Sequence, residues 1–146
     1  MPRRTKEILI AGLDPKKWRE IWPGFRVYSL RRSRGKGLSI GLFHCAKGVG
    51  STPHRHASNQ FMYCLKGEYF YPATGVRIKP GSFYMNPRGR AHGPAVALKE
   101  TLMLEMYDGP PAPIPVRTRA SKIGAIIPRV TAKSNGRRRL QSRDSE

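Results

Sequence analysis

The stretch GVGSTPHRHASNQFMYCLKG, residues 48–67, places two of the chain's four histidines one residue apart, between glycines at both ends. On a strand, successive side chains alternate faces, so His54, His56, Gln60, Met62 and Cys64 share one parity. Arg55, Phe61, Tyr63 and Leu65 take the other, provided no bulge intervenes between 56 and 60. Both imidazoles then point one way, with an amide next and two soft apolar side chains beyond. A second stretch, GSFYMNPRGRAHGP (81–94), runs from a strand through a Pro-Arg-Gly turn to His92. If the two strands pair, His92 supplies a third nitrogen. Three imidazole nitrogens suit Fe(II), Ni(II), Cu(II), Mn(II) or Zn(II), with positions left open for substrate.

The rest of the chain fixes the setting of these histidines. The segment DPKKWREIW (14–22) predicts a short helix, with Asp14 as N-cap, Pro15 at the first position and Pro23-Gly24 as the stop. Short aromatic and aliphatic runs then follow one another, FRVYSL, LSIGLFHCA, QFMYCL, EYFYP, VRIK, SFYMN and TLMLEMY, most of them bounded by Gly, Pro, Asn or Lys. Such closely spaced strands predict an all-β barrel or sandwich. GPPAPIPV (109–116) is too rich in proline for an internal strand and marks the end of the domain. The expected organisation is an N-terminal segment over 1–24, a barrel over 25–112, and a proline-containing linker with a basic, flexible extension over 113–146.

The chain of 146 residues carries a formal charge of +19, and that charge is unevenly spread. Residues 1–36 hold 11 basic and 3 acidic residues, 37–116 hold 8 and 4, and 117–146 hold 9 and 2. The barrel itself is therefore only mildly basic. A terminal NGRRRLQSR can bind phosphate polyanions, but no helix-turn-helix, zinc finger or RNP stretch accompanies it, and a solvated extension is the simpler reading. No apolar run reaches the roughly 20 residues that cross a membrane, and no secretory signal opens the chain. A cytoplasmic protein is expected, with Cys45 and Cys64 as reduced, buried thiols.

Together the two histidine stretches resemble the cupin motifs. The first follows G-x5-H-x-H-x3,4-E-x6-G through Gly48, His54, His56 and Gly67, with Gln60 where the motif has its acid. The second follows G-x5-P-x-G-x2-H-x3-N through Gly81, Pro87, Gly89 and His92, with Val96 at the final position. The resemblance implies a cupin jelly-roll barrel with a metal inside, held by His54, His56 and His92 and, as a fourth candidate, by Gln60. A neutral amide adds no negative charge, so the site keeps the full charge of a divalent ion and attracts anionic chelating substrates.

This pattern is similar to that of the three-histidine cupin dioxygenases, which split diketones, hydroxyketones or thiols. It implies an Fe(II)-dependent enzyme acting on a small oxygenated molecule, with Zn, Ni, Mn or Cu as other metals for the site. A non-catalytic ligand-binding or sensor cupin, and a metal-dependent isomerase or lyase that does not use oxygen, are the competing classes. His44, Met62, Cys64 and Tyr84 are candidates to line the pocket, and Arg55, Arg88 and Arg90 to draw an anion to its mouth. Cupins pair through barrel edges, so a homodimer is the expected assembly.

Overall fold

A computed structural model describes residues 7–33 and 37–116, and the basic extension over 117–146 lies outside the described residues. Among the described residues a single 3-10 turn, Pro15–Lys17, leads into ten strands. These are β1 (Arg19–Trp22), β2 (Phe25–Arg32), β3 (Ser39–Cys45), β4 (Gly50–Ser51), β5 (His54–His56), β6 (Gln60–Tyr71), β7 (Val76–Ile78), β8 (Phe83–Asn86), β9 (Ala95–Tyr107) and β10 (Pro113–Pro115). The main sheet has the order β1-β2-β3-β9-β6-β7, all antiparallel, with β4 added to β9 and β8 to β6. β5 and β10 form a small second sheet. No described helix is long and apolar enough to cross a membrane.

Two expected strands, QFMYCL and EYFYP, are one. β6 runs through Gly67, which adopts φ 88°. A side chain there is barred twice: L residues rarely take that φ, and a Cβ would lie 2.2 Å from the Glu100 carbonyl oxygen. The glycine lets β6 cross β9 closely, and the Glu68 N–H reaches the Thr101 hydroxyl at 3.1 Å.

Register determines what faces the interior, because directly opposed residues on paired strands share a face. One inner rung is Val27–Phe43–Met103–Cys64, the next is Ser29–Gly41–Glu105–Met62, and the third is Arg32–Ser39–Tyr107–Gln60–Asn86. The first rung is core: Met103 and Cys64 are fully buried and Phe43 nearly so. Rings continue the packing from Trp22 to Phe25 (4.3 Å between centroids), Phe43 (5.3 Å) and Tyr69 (5.5 Å). Phe43 and Tyr69, both buried, each contribute roughly 1.5–3 kcal/mol. The third rung is polar, and it lies beside the histidines. On the outer face the rungs Met85–Phe61–Met106–Ile40 and Phe83–Tyr63–Leu104–Leu42 are apolar as well, and Phe83 is 63% exposed.

The helix expected over 14–22 does not form. Asp14 does cap, accepting from the Lys16 N–H at 2.9 Å, yet the turn ends at Lys17. Residues 19–22 instead pair with β2, and the Trp22 indole N–H donates to the Gly50 carbonyl at 3.2 Å. Sheet pairing and indole burial outweigh a weak local propensity. The proline-rich segment goes further than the end of a domain: Pro113, Ile114 and Pro115 oppose His56, Arg55 and His54 as an edge strand, a place proline tolerates.

Candidate metal centre

Three pieces of chain converge on the histidines. β5 holds His54 and His56 on one side by alternation. A backbone bridge brings in the third, with the His54 N–H donating to the His92 carbonyl (3.0 Å) and the His92 N–H to the His54 carbonyl (2.8 Å). The turn residues before it are tied down: the Gly89 N–H donates to the His56 carbonyl at 2.9 Å, and the Arg88 N–H to the Asn59 side-chain oxygen at 2.8 Å. Asn59 in turn donates twice to the Asp108 carboxylate, at 2.9 and 2.7 Å.

The three imidazoles stand 4.3–5.1 Å apart between ring centroids, and one nitrogen from each lies within 4.8 Å of the others. In every case Nδ1 meets a backbone carbonyl: Thr52 for His54 (2.6 Å), Pro111 for His56 (3.0 Å) and Arg90 for His92 (3.4 Å). A carbonyl only accepts, so Nδ1 carries the proton and Nε2 is left with its lone pair. Anchoring of this kind orients a ligating imidazole and fixes its tautomer. His56 Nε2 is buried with no hydrogen-bond partner among the described residues, an arrangement that costs about 1–3 kcal/mol unless something occupies the lone pair. A divalent cation fits that requirement, and the all-nitrogen donor set suits a first-row metal.

Burial, with His54 as a smaller contribution, lowers the His56 pKa to about 4. His92 is lowered to about 4 as well, first by burial and then by its two neighbours. Neutral rings are the metal-binding form. The unfolded chain takes up protons on these residues near pH 6.5, whereas the folded chain resists until about pH 4. Stability of the metal-free protein is therefore complete above pH 6.5 and falls as pH drops towards 4. The expected loss is about 3 kcal/mol for His56. Urea unfolding between pH 7.5 and 4.5 measures it, and His56→Asn should flatten the slope.

Gln60 sits behind the trio in a buried network. Its Nε2 donates to the Tyr107 hydroxyl at 2.7 Å and to Glu105 at 3.1 Å, and its Oε1 accepts from Asn86 at 2.9 Å. The Tyr107 hydroxyl also donates to Glu105 at 2.9 Å, and its ring lies 5.0 Å from that of His56. Burial raises the Glu105 carboxyl above the ordinary range, opposed by the bonds from Tyr107 and Gln60.

A cavity of about 480 Å³ opens onto the histidines and includes Gln60 and Met62 in its wall. Three other pocket candidates are placed elsewhere. His44 alternates away from Phe43 and Cys45 and bonds Glu100 at 2.6 Å, beside Trp18 and Arg26. Cys64 is sealed in the core against the Lys66 carbonyl. Tyr84 packs on Tyr71 at 5.3 Å. Arg55, Arg88 and Arg90 do not line the cavity, whereas Arg19, Arg31 and Arg32 do. Glu105 and Tyr107 also line it and carried no motif by which sequence could find them.

A family model described as the ChrR cupin-like domain matches residues 6–112. The chain belongs to this family. Its fold is the cupin jelly roll, shared at low identity with several solved structures. An acetylacetone dioxygenase from Acinetobacter johnsonii is 16% identical, with 75% of this chain and 80% of that one covered and a TM-score of 0.64. KdgF from Halomonas sp. is 24% identical, with 64% and 87% covered and a TM-score of 0.57. Rhodobacter sphaeroides SigE in complex with the anti-sigma ChrR matches at 20% identity, with 67% and 52% covered and a TM-score of 0.56. No curated protein matches the cupin. These likenesses speak for the fold, and His54, His56 and His92 form a group able to hold a metal ion.

Proposed function

We propose that this cupin is a metal-dependent enzyme acting on a small oxygenated molecule, with Fe(II) held by His54, His56 and His92 and cleavage of the dioxygenase type. One observation carries the reading: three imidazoles converge with Nδ1 anchored and Nε2 free. Held by His54, His56 and His92, the metal would supply Lewis-acid and redox chemistry towards the substrate and O2. The chain's own residues do the remainder. Thr52, Arg90 and Pro111 hold the rings in one tautomer. Trp22, Phe25, Val27 and Phe43 give the cavity an apolar wall. Glu105, with its raised proton affinity, is suited to exchange a proton with a bound substrate. Gln60 holds that carboxyl in place and is itself held by Asn86.

Anaerobic purification followed by elemental analysis should find close to one iron per chain. Likeness to acetylacetone dioxygenase makes a β-diketone the first substrate to try, followed by hydroxyketones and thiols, with oxygen uptake as readout. Iron present with no uptake across that panel would refute the oxygenase reading, and turnover without oxygen would favour an isomerase or lyase.

A second reading has family membership behind it: a cupin that senses a metal or small ligand and passes the signal to a protein partner, as ChrR is found in complex with SigE. Tight ligand binding with no turnover would favour it. In either case we place the protein in the cytoplasm as a homodimer, with the apolar outer rungs around Phe83, Tyr63 and Leu104 as the contact face.

A further inference from the structure

The cavity wall is chemically divided. Its inner surface is aromatic and aliphatic, through Trp22, Phe25, Val27, Phe43 and Met62. Its volume of about 480 Å³ is that of a small-metabolite site. Arginines stand at the rim. Arg19 is opposed to Val27 on the edge strand β1, so it shares the inward face of Val27 and Phe43. Arg32 is opposed to Ser39 at the far end of β2, on the same inward rung as Tyr107. Both are exposed and line the cavity, as does the partly buried Arg31. Among the described residues none of the three has a carboxylate within salt-bridge distance. Glu20, next to Arg19, is opposed to Arg26 on the other face, and Glu105 is engaged by Gln60 and Tyr107. Surface arginines without acidic neighbours, facing an apolar hollow, are placed to pair with an oxyanion brought by a ligand.

We infer that the ligand of this cavity is an amphipathic anion, with an aromatic or aliphatic body in the apolar hollow and a carboxylate or phosphate head drawn to the rim arginines, Arg19 and, two rungs away, Arg32 being alternative partners. This names the substrate class of the proposed enzyme and rests on reading the cavity as its substrate pocket.

The test uses metal-free full-length protein, so that neither a bound cation nor turnover contributes to the result. Quenching of tryptophan fluorescence, to which Trp22 in the wall contributes, follows titration with 4-phenylbutyrate, its uncharged amide and 4-phenylbutyl phosphate. At least one anion should bind tenfold or more tighter than the amide at low salt. The preference should shrink below threefold in 0.5 M salt and in Arg19→Gln/Arg32→Gln. The carboxylate and phosphate arms identify the head group. Since both arginines are exposed, circular dichroism should show the variant folded, and the single variants should each lose part of the preference. Equal affinity for amide and anions overturns the inference. So does failure of all three to bind, or a preference that survives the double substitution, which would place the anion elsewhere on this basic chain. Iron content and oxygen uptake fail or succeed independently of these readouts.

Discussion

His56→Ala should release the metal. Wild-type protein equilibrated with Fe(II) or Zn(II) should retain about one equivalent through desalting, and the variant close to none. Loss of a mere hydrogen-bond partner of a ligating histidine weakens a metal about 10–100-fold, so removal of the ligand itself should exceed a hundredfold. His56 is the decisive choice because its Nε2 is the buried atom left without a partner. The same substitution should stabilise the metal-free fold against acid, since the ring that resists protonation down to about pH 4 is gone. A structural histidine would not show opposite effects of that kind. Retention of a full equivalent by His56→Ala would remove the three-histidine centre from consideration.

Gln60→Glu restores the acid of the general motif and, in this setting, should be harmful to the metal-free protein. The amide nitrogen that now donates to Glu105 at 3.1 Å would become a second carboxylate oxygen beside it. Two buried carboxylates that close cannot both ionise, so the pair retains a proton well above the usual range. The folded state then binds more protons than the unfolded one, and stability falls as pH rises from about 5 to 8. An unpaired buried charge of this kind costs about 3–5 kcal/mol. Thermal unfolding at pH 5.5 and 8 reads the effect. A variant as stable as wild type at both values would mean that Gln60 is not held by Glu105. Glu105→Gln in the same background should restore most of the stability.

That pair explains what sequence could and could not convey. The histidines were readable because their spacing is local: alternation on β5 and a fixed distance from the Pro87-Gly89 turn need no tertiary knowledge. Most strand segments were readable from their apolar runs. Gln60 was visible as a departure from the motif, but its meaning lay 45 residues away in Glu105, inside TLMLEMY, where one acid in an apolar run has no spacing to mark it. The anchors of the histidine rings were hidden for a similar reason, since backbone carbonyls have no side-chain signature. Asp14 and Pro15 did start a turn as local chemistry dictates, and long-range pairing of Arg19–Trp22 with β2 then overrode the helix. His44 lies off the cavity, which sequence does not convey because alternation fixes opposite sides without saying which is the interior; Glu100 and Trp18 hold it on the far side.

The Pro111 carbonyl gives the C-terminal segment a reach beyond its length. β10 lies along the histidine strand, the Val116 N–H meets the Pro53 carbonyl at 3.4 Å, and the chain continues directly into residues 117–146 with their excess of arginine and lysine. The edge strand that covers β5 therefore also aims an imidazole, and a substitution that unpairs β10 should loosen the His56 ring.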